Sequence, residues 1–169
     1  MVKNKLDIIG STAYVTINGQ ANIPAKIDTG ADSSSIWASD IDISPDGFLT
    51  FKLFSPKSPF YTGEVLRRKQ YSAVVVRSAT GEEQIRYRTH LSLEINGRKI
   101  KALFNLSNRG KNNSPILIGK RTLRGKFIVD VSRAPIKFGK KVRSRSISAK
   151  LKKNPHEFHQ KYIKNKGDL

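Results

Sequence analysis

Between Thr12 and Ile17 apolar and polar residues alternate, and the run is rich in Thr, Val, Ile and Tyr, the pattern of a strand with one buried face. Asn18-Gly19 then supplies two residues that tolerate positive φ, which predicts a tight reversal and a return strand from Asn22 to Ile27. The same grammar recurs later. Gln84 to Ile95 reads as a long strand, Asn96-Gly97 as a second tight turn, and Arg98 to Leu106 as its return, with Ile100, Ala102 and Phe104 on one face. The two hairpins form a weak internal repeat, ending in Asp28-Thr29-Gly30 in one copy and Asn105-Leu106-Ser107 in the other.

The stretches around them are less regular. Ser33 to Pro59 is polar and turn-rich, broken by one strand from Phe48 to Phe54 that sets Phe48, Thr50, Lys52 and Phe54 on one face and Leu49, Phe51 and Leu53 on the other. Residues 55 to 70, with two prolines and Tyr61-Thr62-Gly63, read as a loop. Tyr71 to Ser78 is a strand, and Ala79-Thr80-Gly81-Glu82 turns it into the long strand that follows. Pro115 to Gly119 is a short buried strand, Lys120 to Arg124 one or two helical turns stopped by Gly125, and Phe127 to Val131 a last strand. The expected core is therefore mainly β, built from many short strands with one short helix.

Composition changes this picture at the C-terminal end. Residues 1–139 are long enough for one domain with a sizeable core. Residues 140–169 carry ten Lys or Arg against two Asp or Glu and few apolar side chains, so a basic tail is expected, flexible or partly helical, with a short helix near His156 to Ile163. The whole chain has 169 residues and a formal net charge of +19, which favours polyanionic partners such as RNA, contacted through the tail, or acidic protein segments. The absence of cysteine excludes disulfides and thiolate metal sites. With no apolar run of about 18 residues and no secretory apolar region after Met1, no membrane association is expected and a cytoplasmic location is.

The candidate chemistry lies at the end of the first hairpin. Ile27-Asp28-Thr29-Gly30-Ala31 puts a carboxylate where a strand gives way to a loop, followed by a small hydroxyl residue and a glycine that admits another backbone. On its own this is also ordinary turn chemistry. One carboxylate cannot readily both activate water and protonate a leaving group. Two carboxylates about 3 Å apart can, because they share a proton. The chain holds a single Asp-Thr-Gly, so this chemistry requires a second copy of the chain across a two-fold axis.

A later segment singles out one family. Ala25-Lys26-Ile27-Asp28-Thr29-Gly30-Ala31, taken with Ile116-Leu117-Ile118-Gly119-Lys120-Arg121 and the run through Arg133, resembles the retropepsin-like aspartic peptidases. It is closer still to a bacterial branch labelled ATP-dependent zinc protease, whose members accompany RimK-type glutamate ligases. The resemblance covers roughly residues 8 to 135. It implies a retropepsin-like closed β-barrel and a homodimeric aspartic endopeptidase with Asp28 as the catalytic carboxylate of each chain. Thr29 and Gly30 would support the dyad, and Gly30, Ala31 and Asp32 would bind substrate. Thr80 and Gly81 would sit at the tip of a flap, and Ile118, Gly119 and Lys120 would form the second structural motif. Asp32 would pair with Lys120, where retropepsins usually carry Arg, so a bidentate pair is lost. Bacterial relatives more often have a basic residue at the place of Asp32, and an Asp-Arg pair where this chain has Asn108-Arg109.

The branch's label finds no footing in the residues. His156-Glu157-Phe158-His159 spaces its histidines one position too close for a zinc-protease helix, and Ser114 stands where a phosphate loop needs glycine. No metal or other cofactor is expected. Ser33, Ser34 and Ser35 lack a nucleophile-elbow context and read as hydrogen-bonders after the active-site turn, while Trp37 reads as core or pocket wall. The rival reading from another class is a non-catalytic, peptidase-like module that binds nucleic acid, ribosome or an acidic protein through its basic surface.

Overall fold

In the computed structural model, residues 5–77, 83–138 and 154–162 are described. In chain order the strands are β1 (Asp7–Gly10), β2 (Thr12–Ile17), β3 (Gln20–Asp28), β4 (Ser34–Ile43), β5 (Leu49–Leu53), β6 (Val65–Arg68), β7 (Ser72–Arg77), β8 (Glu83–Ile95), β9 (Arg98–Ser107), β10 (Ile116–Gly119) and β11 (Phe127–Asp130). A one-turn helix, α1 (Lys120–Leu123), follows β10, and α2 (Pro155–Tyr162) lies in the C-terminal unit.

Six of these strands close on themselves. The ladder runs β10-β3-β2-β8-β9-β4, and β4 pairs back onto β10. Two of the six pairings, β10 with β3 and β9 with β4, are parallel, and the remaining four are antiparallel. An even number of reversals is what lets a mixed ring close. The result is a closed mixed β-barrel with no free edge within the ring.

The two Asn-Gly turns set its register. Asn18 and Gly19 have φ of 48° and 87°, and Asn96 and Gly97 have 50° and 77°, as a type I′ reversal demands. With registers fixed, alternate residues turn inward. Ile23, Ala25 and Ile27 of β3 meet Leu91, Leu93 and Ile95 of β8, Ala102, Phe104 and Leu106 of β9, and Ile116 and Ile118 of β10 in one buried core. The weak repeat of the sequence is a real topological one. Each hairpin's second strand receives a parallel neighbour from elsewhere in the chain, β10 beside β3 and β4 beside β9.

Three segments differ from the sequence expectation. The polar stretch after Ser33 is the ten-residue strand β4, whose inward residues Ser34, Ile36 and Ala38 are small or aliphatic and buried, while Ser35 and Ser107 bridge β4 to β9 through their hydroxyls at 2.8 Å. The expected loop at 55 to 70 contains β6, which pairs with β5. Phe54 does not continue the alternation of β5. The strand stops at Leu53, Phe54 takes φ of 65°, and its ring turns into the core against Phe60 at 5.7 Å.

A separate two-stranded parallel ribbon joins β1 to β11, and Asp7 anchors it to the second hairpin by accepting from Arg98 Nε at 2.6 Å. The sequence pattern missed β1, because four residues interrupted by Gly10 show no full period. The first half of β8 leaves the barrel to pair with β7, with Val75 and Ile85 exposed on that hairpin. Its expected tip, Thr80 and Gly81, lies outside the described residues. Among the described residues no helix is long and apolar enough to cross a membrane.

Phe104 is fully buried in the barrel. Phe104→Ala should cost about 3–5 kcal/mol, read as a lower urea midpoint, whereas Val75→Ala on the exposed hairpin should stay within about 0.5 kcal/mol.

Candidate functional site

The site begins with the parallel pairing of β3 and β10. Their register sets Ile118 beside Ile27 and Gly119 beside Asp28. Both isoleucines are buried in the barrel, so period-2 alternation turns Asp28 to the opposite side of the strand from the core. The chain after Asp28 then folds back over the end of β10. A Cβ at Gly119 would lie 2.6 Å from the Ser33 backbone and 2.9 Å from Ala31 O, so only glycine lets the loop pass.

Hydrogen bonds hold that crossing together. The N–H groups of Lys120 and Arg121 at the start of α1 donate to Ala31 O at 2.8 Å and Asp32 O at 3.3 Å. The buried hydroxyls of Ser34 and Thr122 bond each other at 2.7 Å, and Gly119 N–H donates to Ser34 Oγ at 3.1 Å. Ser34 and Gly119 thus hold the loop and β10 in one fixed arrangement from the buried side.

Asp28 is partly exposed, with 27% of its side chain accessible. Gly30 N–H donates to its Oδ1 at 3.2 Å, and Lys26 Nζ donates to its Oδ2 at 3.0 Å. The Lys26 bond is the main reason the carboxyl lies below the usual carboxylate range; partial burial opposes it, and the N–H groups of Gly30 and Ala31 add to it. Asp32, two turns of the loop further on, is exposed and bound to Lys120 Nζ at 2.6 Å, which lowers its carboxyl too. The pair expected from the sequence therefore exists, as a single ammonium contact.

Arg109, which the sequence marked only for its place after Asn108, and Arg86, which it did not mark, form a further pair of cations. Arg109 donates Nε–H to Ser114 O at 3.0 Å, and its guanidinium is pushed below its ordinary value by burial and by the neighbouring Arg86, with the negative charge of Asp28 acting in the opposite direction. Arg86 bonds Gln84 Oε1 at 3.1 Å through Nη2, while its Nε is buried with no hydrogen-bond partner among the described residues. Alternation could have found Lys26, two residues before Asp28 and on the same face. Nothing local in the sequence places Arg109 near Asp28, or Arg86 near Arg109, because β3, β8 and the loop after β9 lie far apart along the chain.

Thr29 and Asp32 line a cleft of about 610 Å³ together with Lys120, Leu123, Phe127 and Val129. A second cleft, of about 800 Å³, is walled by Trp37, Ser39, Asn108, Arg109 and Gly110. Trp37 is thus a pocket wall, and it closes on Gly110, where a Cβ would sit 2.9 Å from the indole. The structure brings Asp28, Thr29, Gly30, Ala31, Asp32, Ile118, Gly119 and Lys120 together at one end of the barrel. Thr80 and Gly81 are not among the described residues. Among the described residues no three of His, Cys, Asp and Glu lie close enough to hold a metal ion.

Comparison with known proteins agrees with this architecture. A family model described as RimB-like, retropepsin-like aspartic endopeptidase RimB, matches residues 8–140. Among solved structures the fold is similar to Lpg0085, a protein of unknown function (DUF785) from Legionella pneumophila subsp. pneumophila str. Philadelphia 1, with a TM-score of 0.60 and 21% identity over 77% of this chain and 97% of that one. No curated protein matches the chain.

Gly119→Ala should force the Ser33 backbone to move. The expected loss is about 1–3 kcal/mol, measured by urea denaturation, with Gly97→Ala a control whose cost comes from its positive φ rather than from a clash.

Proposed function

The chain belongs to the RimB-like family of retropepsin-like aspartic endopeptidases, and from that premise we propose that it hydrolyses peptide bonds with water held between two Asp28 carboxylates. Each carboxylate comes from one chain of a homodimer. The observation that carries this reading is Asp28 itself, set at a strand end outside the core, held by Gly30 N–H, and facing a glycine across a parallel ladder.

The steps follow from two carboxylates sharing one proton. The ionised one takes a proton from water as its oxygen attacks the peptide carbonyl carbon, while the protonated one donates to the carbonyl oxygen. Collapse of the tetrahedral intermediate breaks the C–N bond, and the leaving nitrogen takes a proton from the pair. Thr29 supports the two loops where they meet, and Gly30, Ala31 and Asp32 bind an extended substrate backbone as an added strand. On this reading the β7–β8 hairpin would act as the flap that closes over bound substrate and excludes water.

Acidic or glutamate-tailed protein segments are the substrate class that suits this site. Lys26 and Arg109 make the neighbourhood of Asp28 cationic, with Arg86 adding to the charge beside Arg109 and its Nε lacking a partner among the described residues. The chain's net charge of +19 would draw such segments from a distance, with the basic tail adding contacts to RNA or other polyanions.

Asp28→Asn should abolish cleavage of a glutamate-rich peptide by the full-length protein and leave the thermal midpoint essentially unchanged. Cleavage that survives in a clean preparation would sink the mechanism. Light scattering should show a dimer, at the latest with peptide present. Binding of RNA or acidic peptide that falls steeply with salt, with no hydrolysis dependent on Asp28, would instead favour a peptidase-like binding module.

A further inference from the structure

Lys26 is placed with more care than a surface lysine needs. Its backbone N–H donates to Ser114 Oγ at 3.2 Å, and Ser114 Oγ in turn donates to Ile116 O at 2.5 Å, so the residue is fixed to the segment that leads into β10. From that fixed backbone the side chain runs along the outer face of β3 and ends on Asp28 Oδ2 at 3.0 Å. A carboxylate meant only to open a turn would need no ammonium of its own.

The charges around Asp28 come from few directions. On its own strand there is Lys26, and across the ladder is Gly119, with no charge. Beyond Gly119, Lys120 is engaged by Asp32 at 2.6 Å. From the loop after β9 comes Arg109, tied to Ser114 O, with Arg86 of β8 behind it. On β2, the residue opposite Lys26 is Thr12, whose hydroxyl is occupied by Ile136 N–H at 3.0 Å. Every unneutralised charge named here is positive, and Lys26 is the one in direct contact.

We propose that Lys26 is a positioning residue for catalysis, a built-in counter-ion that favours the ionised form of Asp28 and thereby sets the pH at which the pair of Asp28 carboxylates holds its one shared proton. This rests on the peptidase reading above. Repulsion between two close carboxylates is what ordinarily retains that proton. With a lysine on each carboxylate, two ammonium charges offset the two negative charges of the doubly ionised pair, so the proton leaves at lower pH. Lys26 is therefore a brake at neutral pH, and the active form is reached on acidification or when another anion draws the ammonium away.

The sign of the effect follows. Lys26 lowers the carboxyl of Asp28, so its removal raises it, and a proton is then retained to higher pH. Lys26→Met keeps the length of the stem and its strand position; Lys26→Arg keeps the charge. The test uses the full-length chain, with the Asp28 carboxyl carbon followed by NMR across pH and assigned by its disappearance in Asp28→Asn. Cleavage of a glutamate-rich peptide is measured over the same range. In Lys26→Met the NMR midpoint should rise and the alkaline limb of kcat/KM should move upward with it, while Lys26→Arg stays at the wild-type position. An unmoved midpoint in Lys26→Met overturns the proposal. So does a midpoint that moves while the alkaline limb of an active enzyme stays in place. If the wild-type protein cleaves nothing at any pH, the peptidase reading fails and Lys26 loses its catalytic role, whereas the NMR midpoint still reports separately whether the pairing exists.

Discussion

The parallel pairing of β3 with β10 is the constraint on which the rest of the structure depends. Parallel neighbours cannot be joined by a short turn, so the strands that flank Asp28 come from residues 20–28 and 116–119, with β4, β8 and β9 of the barrel between them. The pairing places Gly119 where any side chain would collide with the Ser33 and Ala31 backbone. That collision makes the loop after Asp28 cross in one way only. The Ser34–Thr122 and Gly119–Ser34 hydrogen bonds then hold the crossing from its buried side. A carboxylate on such a support has little freedom, which is what general acid–base chemistry asks of it.

Much of this was legible in the chain itself. The Asn-Gly pairs announced both hairpins, because few residues other than Asn and Gly accept the positive φ of those turns. The apolar Ile116-Leu117-Ile118-Gly119 announced β10, and with Asp28-Thr29-Gly30 it was enough to identify the family. What stayed hidden was of two kinds. β4 faces inward with Ser34, and its flanks are polar, so local composition argued for a loop while burial on the ring decided for a strand. Arg109 approaches Asp28, and Arg86 approaches Arg109, only in the folded chain, and no local pattern encodes that approach. Lys26 lay between these cases: its position two residues before Asp28 was visible, but its use as a partner depended on the strand being fixed at Ser114.

The family expectation and the side chains part company over charge. Asp32 and Lys120 keep the loop-to-helix ion pair, but with an ammonium in place of a fork, so the contact fixes distance and leaves orientation free. Arg109 follows Asn108, whose side chain accepts from Gly110 N–H at 3.0 Å and shapes the loop. Lys26 is left on Asp28, and Arg109 on the wall of the cleft beside Trp37.

A cationic surround has opposite consequences for recognition and for chemistry. On the proposed peptidase reading it would concentrate acidic segments and favour their binding, yet it would also favour the fully ionised state of a carboxylate pair that must keep one proton to work. A substrate that brings its own carboxylates would relieve the conflict, since each one that engages Lys26 or Arg109 would reduce the positive field on Asp28. Binding and protonation are then linked, and an acidic peptide would itself raise the fraction of active pairs. Discrimination against neutral peptides would then arise partly in the protonation of the proposed dyad, with no separate pocket required to read the acidic side chain.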